Sequence, residues 1–316
     1  MQPDYSNLID SETWSFIDRI NAFYPPEAAG WPMERNRNVY DRMCREFHAG
    51  IPAGVAIETS AIDLADRSLP IRIYANGEPA GSAVVLYFHG GGFILGGLDS
   101  HDDICAEICD RTALTVISVD YRLAPDHRGT AAFDDAVCAY EWTAARYAQP
   151  VLLVGESAGG TLAACIAGHV TKHSQPPCGQ VLIYPLLSGA NEGDSYIRHR
   201  HAPLLSADDV VFYRSLRGNV ADMADDELYT PLACTNFASL PPTAIFTAEC
   251  DPLASDGDIY CQRLLQAGRP AAVVEAKGLP HGYLRARTSS SRAAAAFASI
   301  VQSVTALGLG EWNPSQ

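Results

Sequence analysis

The stretch Gly155–Gly160, with the sequence GESAGG, constrains the fold of this chain more than any other feature. It directly follows the apolar run Val151–Val154 and directly precedes the helix-forming run Thr161–His169. A Gly-x-Ser-x-Gly motif between a strand and a helix predicts a sharp, strained turn that holds the serine hydroxyl out of the sheet. We therefore interpret Ser157 as a nucleophile. A glycine-rich turn with a capping serine is the structural alternative.

A second glycine-rich stretch, HGGG at 89–92, follows the apolar run Ala83–Phe88. Consecutive glycines let backbone N–H groups approach a ligand closely, as the stabilisation of an oxyanion requires. We expect the amides of Gly90, Gly91 and Ala158 to form an oxyanion hole. A dinucleotide-binding loop is the competing interpretation, but the sixth position of that motif is Leu95 rather than glycine, and the chain contains no Gly-Lys-Ser/Thr phosphate loop.

A serine hydroxyl needs a base within hydrogen-bond reach, because it is a poor nucleophile at neutral pH. His281 follows the predicted strand Ala271–Glu275, in the turn-like sequence LPHGY, and it is the only histidine after His201. We interpret His281 as the general base. A surface-loop histidine without a catalytic role is the alternative.

The base needs a carboxylate that holds its imidazole in the right tautomer. Asp251 lies just after the predicted strand Thr243–Thr247, and the order serine, acid, histidine is the one that this strand-turn-helix motif predicts. Glu249 is the closest rival for the role. Because Asp251 precedes Pro252, helix capping is the alternative role for Asp251 itself.

The rest of the chain predicts one large α/β fold. Eight apolar runs predict strands: Val55–Ile62, Pro70–Tyr74, Ala83–Phe88, Leu114–Val119, Val151–Val154, Val181–Tyr184, Thr243–Thr247 and Ala271–Glu275. Helix-length segments separate most of the later strands: His101–Arg111, Ala131–Tyr147, Ala158–Lys172, Ala254–Gln266 and Ser291–Leu307. We expect the first three strands to meander antiparallel and the others to be parallel, with helices on both faces of the sheet.

Two further segments lie outside the alternation of strands and helices, and we expect the longer one to be an insertion that covers part of the core. Residues 1–50 read as two helices, the first capped by Ser11, and residues 186–238 are too long for an ordinary connection. The second segment contains a helix candidate, Ser206–Leu216. The chain thus divides into an N-terminal helical segment (1–50), a first core part (51–185), an insertion with a connecting segment (186–238) and a second core part (239–316).

Composition and charge limit the partners and the location that we expect for this protein. The formal net charge is −15, which disfavours nucleic acids and anionic lipid surfaces as partners. No run approaches the roughly 20 apolar residues that span a membrane, and the acidic start lacks the features of a secretory signal. Nine cysteines without a Cys-x-x-Cys pair favour reduced thiols and a cytoplasmic location. The motif His199-Arg200-His201 has no Cys or Glu nearby in sequence, so we expect no metal and no cofactor.

The chain resembles the hormone-sensitive-lipase-like branch of the α/β-hydrolase esterases. The resemblance runs from about Ala83 onward and rests on five motifs in order: HGGGF at 89–93, DYRLAP at 120–125, GESAGG at 155–160, DPL at 251–253 and HGY at 281–283. It implies an α/β-hydrolase fold with a helical cap, a Ser157–Asp251–His281 triad and oxyanion donors at Gly90, Gly91 and Ala158. The chain departs from the family pattern at Glu156, where aspartate is frequent, and at 126–130.

The resemblance implies hydrolysis of a small-molecule ester through an acyl-enzyme. We expect short- to medium-chain acyl esters, because the chain shows no large exposed apolar lid and no membrane anchor. Apolar character and position suggest six pocket residues: Phe93, Leu204, Leu205, Phe212, Tyr213 and Tyr283. An amide, carbamate or lactone substrate uses the same machinery, and a non-catalytic receptor on the same fold is the rival from another class. A homodimer through an edge strand also stays open.

Overall fold

The computed structural model describes residues 3–77, 82–190 and 193–314. The described residues contain eight strands: β1 Ala56–Asp63, β2 Ser68–Ala75, β3 Val84–Phe88, β4 Thr115–Val119, β5 Val151–Glu156, β6 Gly179–Ile183, β7 Thr243–Cys250 and β8 Ala271–Pro280. They form one sheet in the order β1-β2-β4-β3-β5-β6-β7-β8. The pairs β1–β2 and β2–β4 are antiparallel, and all other neighbours are parallel.

Helices cover both faces of this sheet. Those in the described residues are α1 Tyr5–Leu8, α2 Ser11–Asn21, α3 Met33–Glu46, α4 Asp102–Thr112, α5 Ala131–Arg146, α6 Ala158–His169, α7 Asp194–Arg198, α8 Ala207–Arg217, α9 Val220–Met223, α10 Ala254–Gln266 and α11 Ser291–Leu309. The predicted α/β fold with an eight-stranded, mostly parallel sheet is confirmed. Each predicted strand overlaps an observed one.

The expected antiparallel meander of the first three strands is wrong at the third strand. β1 and β2 do pair antiparallel, but β3 is not paired with β2 in the sheet. Instead β3 lies between β4 and β5, with Leu86 opposite Ile117 on one side and Leu153 on the other. All five residues of β3 are buried, and a strand that is apolar on both faces is most stable inside a sheet covered by helices. The connection through α4 then places β4 between β3 and β2.

Alternating side chains of the central strands build two apolar layers. Val85 and Tyr87 pack into the layer that contains α4 and α11, whereas Leu86 and Phe88 pack into the layer with α5 and α6. A fully buried side chain of this size contributes about 1.5–3 kcal/mol of burial free energy. The double burial makes the centre of the sheet a rigid support for the loops at its carboxyl edge.

The expectation that no segment is apolar enough to span a membrane is wrong for helix α11. By length and composition, this helix is long and apolar enough to do so. Its residues Phe297, Ile300 and Val304 are almost completely buried in the layer shared with α4, and the helix packs on β8. This packing is typical of the core helix of a globular domain.

The two predicted cap segments contain helices with clear start signals. Ser206 caps α8 through a reciprocal pair with Asp209, which confirms the predicted helix start. For α2 the cap is Asp10 rather than Ser11, because the Asp10 carboxylate accepts the Thr13 amide at 2.8 Å. The four predicted parts of the chain also include residues 1–2, 78–81, 191–192 and 315–316, which lie outside the described residues.

Candidate active site

The turn between β5 and α6 holds Ser157 in a strained conformation. Its φ of 52° and ψ of −117° lie outside the usual regions for a residue with a side chain. The flanking glycines permit the turn: a Cβ on Gly155 would lie 2.2 Å from the Gly159 carbonyl oxygen, and one on Gly159 would lie 1.9 Å from that of Phe88. The Ser157 amide donates to the Ile183 carbonyl at 2.8 Å. Only glycine fits two positions before this serine and two positions after it.

Three side chains converge where β5, β7 and β8 end. Ser157 Oγ lies 2.9 Å from His281 Nε2, and His281 Nδ1 lies 2.6 Å from Asp251 Oδ2. Asp251 is completely buried, and its second oxygen accepts the Leu253 amide at 2.9 Å. Because the carboxyl ends of parallel strands meet at one edge, residues up to 124 positions apart become neighbours. The chain of contacts can carry a proton from the hydroxyl to the imidazole.

Glu249, the rival acid, points elsewhere. Its carboxylate accepts the Gly278 amide at 2.7 Å and lies 3.6 Å from the Lys277 ammonium. Both partners belong to β8 before it reaches His281. Of the two candidates, the contact with His281 is made by Asp251.

The glycine-rich loop after β3 lies beside Ser157. The amides of Gly91 and Ala158 have no hydrogen-bond acceptor within the described parts of the chain, whereas the Gly90 amide reaches Glu156 Oε1 at 3.5 Å. Gly91 has a φ of 121°, and a Cβ there would lie 2.2 Å from the Leu95 carbonyl oxygen. The loop therefore needs glycine at position 91, and the Gly91 amide is left without an acceptor in the described residues.

A cavity of about 810 Å³ opens above these groups. Five of the six predicted pocket residues line it: Phe93, Leu204, Leu205, Phe212 and Tyr213. Tyr283 does not, because its ring is completely buried behind Tyr184, with the ring centres 5.0 Å apart. Apolar character and position suggested Tyr283 as a pocket residue, but its side chain is part of the buried core.

Sequence reasoning missed much of the cavity wall. Additional lining residues come from the first fifty positions and from the insertion: Ile20, Tyr24, Trp31, Met33, Tyr40, Met43, Leu186, Arg214, Leu216, Arg217, Met223 and Tyr229. The apolar faces of α2 and α3 were a usable signal for Ile20, Met33, Tyr40 and Met43. The arginines carried no such signal, because an arginine on a helix usually faces solvent.

A buried polar network lies directly under the site and was also missed. Glu156, next to the serine, accepts the Tyr184 hydroxyl and contacts the His101 ring. Tyr184 in turn packs against His281, with ring centres 4.7 Å apart. Burial alone would raise the pKa of Glu156, but His101 and Arg285 outweigh it and hold that pKa well below its usual range. The acid stays ionised and fixes the tyrosine that supports the imidazole.

His89 is placed as a structural residue. Its ring is completely buried, stacks on Tyr121 with centres 4.3 Å apart, and lies 2.7 Å from the Gly90 carbonyl through Nδ1. Burial lowers the pKa of His89 to about 3, so the ring is neutral at physiological pH. A Cβ on Gly96 would lie 2.6 Å from this ring. His89 thus anchors the glycine-rich loop from behind.

The histidines near position 200 do not form a metal site. Within residues 3–77, 82–190 and 193–314, no group of three or more His, Cys, Asp or Glu side chains is placed to hold a metal ion. His199 Nδ1 instead lies 3.1 Å from the Tyr5 hydroxyl, which joins the insertion to α1.

Comparisons with known proteins identify relatives of this chain. Residues 85–285 match the family model of the α/β-hydrolase fold. The ethyl acetate hydrolase of Pseudomonas putida is 34% identical over 265 residues, which cover 78% of this chain and 83% of that protein. Esterase LipI of Mycobacterium tuberculosis is 38% identical over 215 residues, covering 66% and 67% of the two chains.

Solved structures give the same picture. The hyperthermophilic esterase of the archaeon Pyrobaculum calidifontis superimposes with a TM-score of 0.88 and 26% identity, over 96% of this chain and 99% of that one. The thermophilic carboxylesterase EstE1, cloned from a metagenomic library, reaches a TM-score of 0.83 at 29% identity, over 89% and 99%. The chain therefore belongs to the α/β-hydrolase family, in the branch of hormone-sensitive-lipase-like esterases.

Proposed function

We propose that this carboxylic ester hydrolase works by acyl transfer, with Ser157 as nucleophile, His281 as general base and Asp251 as the acid that orients the base. The two contacts of 2.9 and 2.6 Å that link the three side chains carry the proposal. Relatives named as esterases support an ester as substrate. The strained turn supports Ser157 as the attacking group, since it exposes the hydroxyl beside a helix amino terminus.

The reaction proceeds in two steps. Ser157 Oγ attacks the ester carbonyl while His281 Nε2 takes its proton, and the Gly90, Gly91 and Ala158 amides hold the resulting oxyanion. His281 then donates the proton to the leaving alcohol, and an acyl-enzyme forms on Ser157. Water, deprotonated by His281, attacks that acyl group. Collapse of the second intermediate releases the carboxylic acid and restores the serine.

The described residues of the segments 1–50 and 186–238 form the cap of this enzyme. Support comes from the cavity wall, to which Tyr24 and Tyr40 contribute from the first segment and Leu205 and Tyr213 from the second. We expect short- to medium-chain acyl groups, and the similarity to an ethyl acetate hydrolase favours this range. A cytoplasmic location is favoured by the nine cysteines, all of which are free thiols.

A serine-directed fluorophosphonate tests the proposal. The enzyme should take up one label per chain and hydrolyse 4-nitrophenyl esters fastest from acetate to octanoate. Ser157→Ala should lose the label and at least about 10³-fold in kcat, because no other hydroxyl replaces the nucleophile.

Ser188→Ala is the matched control, because Ser188 also lines the cavity but lies outside the contacts of His281. This variant should still label. Labelling of Ser157→Ala, or near-normal turnover by it, would contradict the proposed nucleophile. A wild-type chain that binds esters without labelling or turnover would instead be a receptor.

A further inference from the structure

Arg217, at the end of α8, lines the cavity that contains Ser157, yet it takes no part in the proposed reaction. The residue is only 6% exposed. Its Nε and Nη2 atoms are buried and have no hydrogen-bond partner in the described residues. A guanidinium always carries its charge and offers five N–H groups, so two orphaned nitrogens are unusual.

Two aromatic rings pack against the guanidinium but do not accept its hydrogen bonds. Its central carbon lies 3.8 Å from the ring centre of Phe93 and 4.7 Å from that of Tyr229. Such rings attract a cation through their faces and fix its plane, but they do not accept the in-plane N–H bonds. The group is therefore positioned in advance, with hydrogen-bond donors left over.

The other buried arginines are satisfied. Arg287 pairs with Asp103 and Glu107, and Arg285 donates to the Ser100 carbonyl and the Tyr40 hydroxyl. Arg214, one turn before Arg217, donates to the Ser188 carbonyl. Arg217 stands apart from them, because no carboxylate of the described residues forms an ion pair with it.

Burial of an unpaired charge costs free energy, and an apolar side chain would fill the same space without that cost. Burial does lower the pKa of Arg217, but only to about 10, so the group stays cationic at neutral pH. A packing role alone does not account for arginine at this position. A ligand with a negative charge of its own would account for arginine at this position.

We propose that Arg217 binds a carboxylate of the substrate, so that the preferred substrates are esters that carry a second, free carboxylate, such as half-esters of dicarboxylic acids. The inference rests on the proposed esterase function and names its substrate class. A planar guanidinium matches the two oxygens of a carboxylate, and a single negative charge enters a largely apolar cavity more easily than a phosphate dianion.

The position of Arg217 suits this role. Phe93, which packs against the guanidinium, directly follows the Gly90–Gly92 loop beside Ser157. The arginine thus lies one side chain away from the oxyanion donors and in the same cavity as the nucleophile. One substrate could place its ester at Ser157 and its carboxylate at Arg217.

Matched ester pairs test the inference. For the acyl side, mono-4-nitrophenyl glutarate is compared with its carboxamide analogue, and for the alcohol side, 4-carboxyphenyl acetate with 4-carbamoylphenyl acetate. The wild type should favour the carboxylate in at least one pair by about tenfold or more in kcat/KM. Arg217→Met should lower that ratio about 10- to 100-fold, because a hydrogen-bonded charge pair is lost.

Two further variants sharpen the test. Arg200→Met is the matched control, because Arg200 is an exposed arginine of the insertion paired with Asp208, and its ratios should equal those of the wild type. Arg217→Lys, which keeps the charge without the fork, should give an intermediate ratio. Ratios of one or below in the wild type for both pairs, or unchanged ratios in Arg217→Met, would overturn the inference.

A binding measurement separates this inference from the proposed function. Glutaric acid mono-4-nitroanilide, titrated by tryptophan fluorescence into Ser157→Ala, should bind more tightly than its carboxamide, and the difference should vanish when Arg217→Met is added. Equal binding of the two compounds overturns the role of Arg217 even if simple esters are hydrolysed. Failure to hydrolyse any ester, with the binding difference intact, refutes only the proposed reaction.

Discussion

At the scale of single residues, Asp251 shows how burial and hydrogen bonding define a role. Both carboxylate oxygens are engaged, one by His281 Nδ1 and the other by the Leu253 amide. The fixed carboxylate can accept only from an N–H, so it selects the tautomer in which His281 Nε2 is free to take a proton from Ser157. Glu249, two residues earlier, has no such contact because it is held by β8.

This arrangement predicts the effect of Asp251→Asn. The amide keeps the shape of the carboxylate but allows the wrong imidazole tautomer, so kcat should fall about 10³- to 10⁴-fold with little change in KM. Steady-state hydrolysis of 4-nitrophenyl butyrate measures both constants. Glu249→Gln is the control and should lose less than about tenfold. A larger loss of kcat in Glu249→Gln than in Asp251→Asn would instead identify Glu249 as the acid.

At the scale of elements, the packing of α6 against β3 depends on one missing side chain. A Cβ on Gly159 would meet the Phe88 carbonyl oxygen at 1.9 Å, a contact that neither backbone can relieve without moving. Gly168, near the other end of the same helix, has only ordinary contacts, the nearest being Cys234 Sγ at 3.8 Å. Of these two glycines, only Gly159 at the start of the helix, beside Ser157, lies against the backbone of the sheet.

Alanine substitutions at these two glycines should have very different effects on the free energy of unfolding. Gly159→Ala should lower the free energy of unfolding by about 3 kcal/mol or more, because strand and helix must separate. Gly168→Ala should be neutral or stabilise by up to about 1 kcal/mol, as alanine is the better helix former. Urea unfolding followed by tryptophan fluorescence measures both. Equal stabilities would mean that the helix start can shift freely.

At the scale of the whole molecule, Arg37 joins the N-terminal helices to the catalytic domain. From α3 it donates to the carbonyls of Ile94 and Ala124, both at 2.9 Å, and it lies 2.7 Å from Asp126. The guanidinium holds the pKa of the Asp126 carboxyl below its usual range. These contacts connect a cavity wall made early in the chain to the loop after the glycine-rich stretch 90–92.

Arg37→Ala should therefore loosen the N-terminal segment. The loss of two charge-assisted hydrogen bonds should reduce the free energy of unfolding by about 1–3 kcal/mol. KM for 4-nitrophenyl butyrate should rise several-fold, because Met33 and Tyr40 of the same helix line the cavity. Arg42→Ala, an exposed arginine on α3, should change neither quantity. If both variants behave alike, the docking role of Arg37 is refuted.

Local patterns predicted the elements well and their neighbours less well. Alternating or continuous apolar runs depend on nearby residues, so all eight strands and the main core helices could be found. Strand order depends on contacts between distant segments, and the expected pairing of β2 with β3 was wrong for that reason. The prediction that Tyr283 lines the pocket was wrong for a similar reason. The direction of its side chain depends on packing against Tyr184, which lies far away in sequence.

The sequence by itself determined the strand-turn-helix around Ser157, the glycine loop at 90–92 and the chain order of serine, acid and histidine, because each depends on steric rules that act within a few residues. Only the tertiary structure decided that His281 Nε2 lies within 2.9 Å of Ser157 Oγ and that Arg217 is buried without a partner. Those two facts depend on how the sheet brings distant loops to one edge and on how the cap packs over them. No local sequence pattern predicts either arrangement.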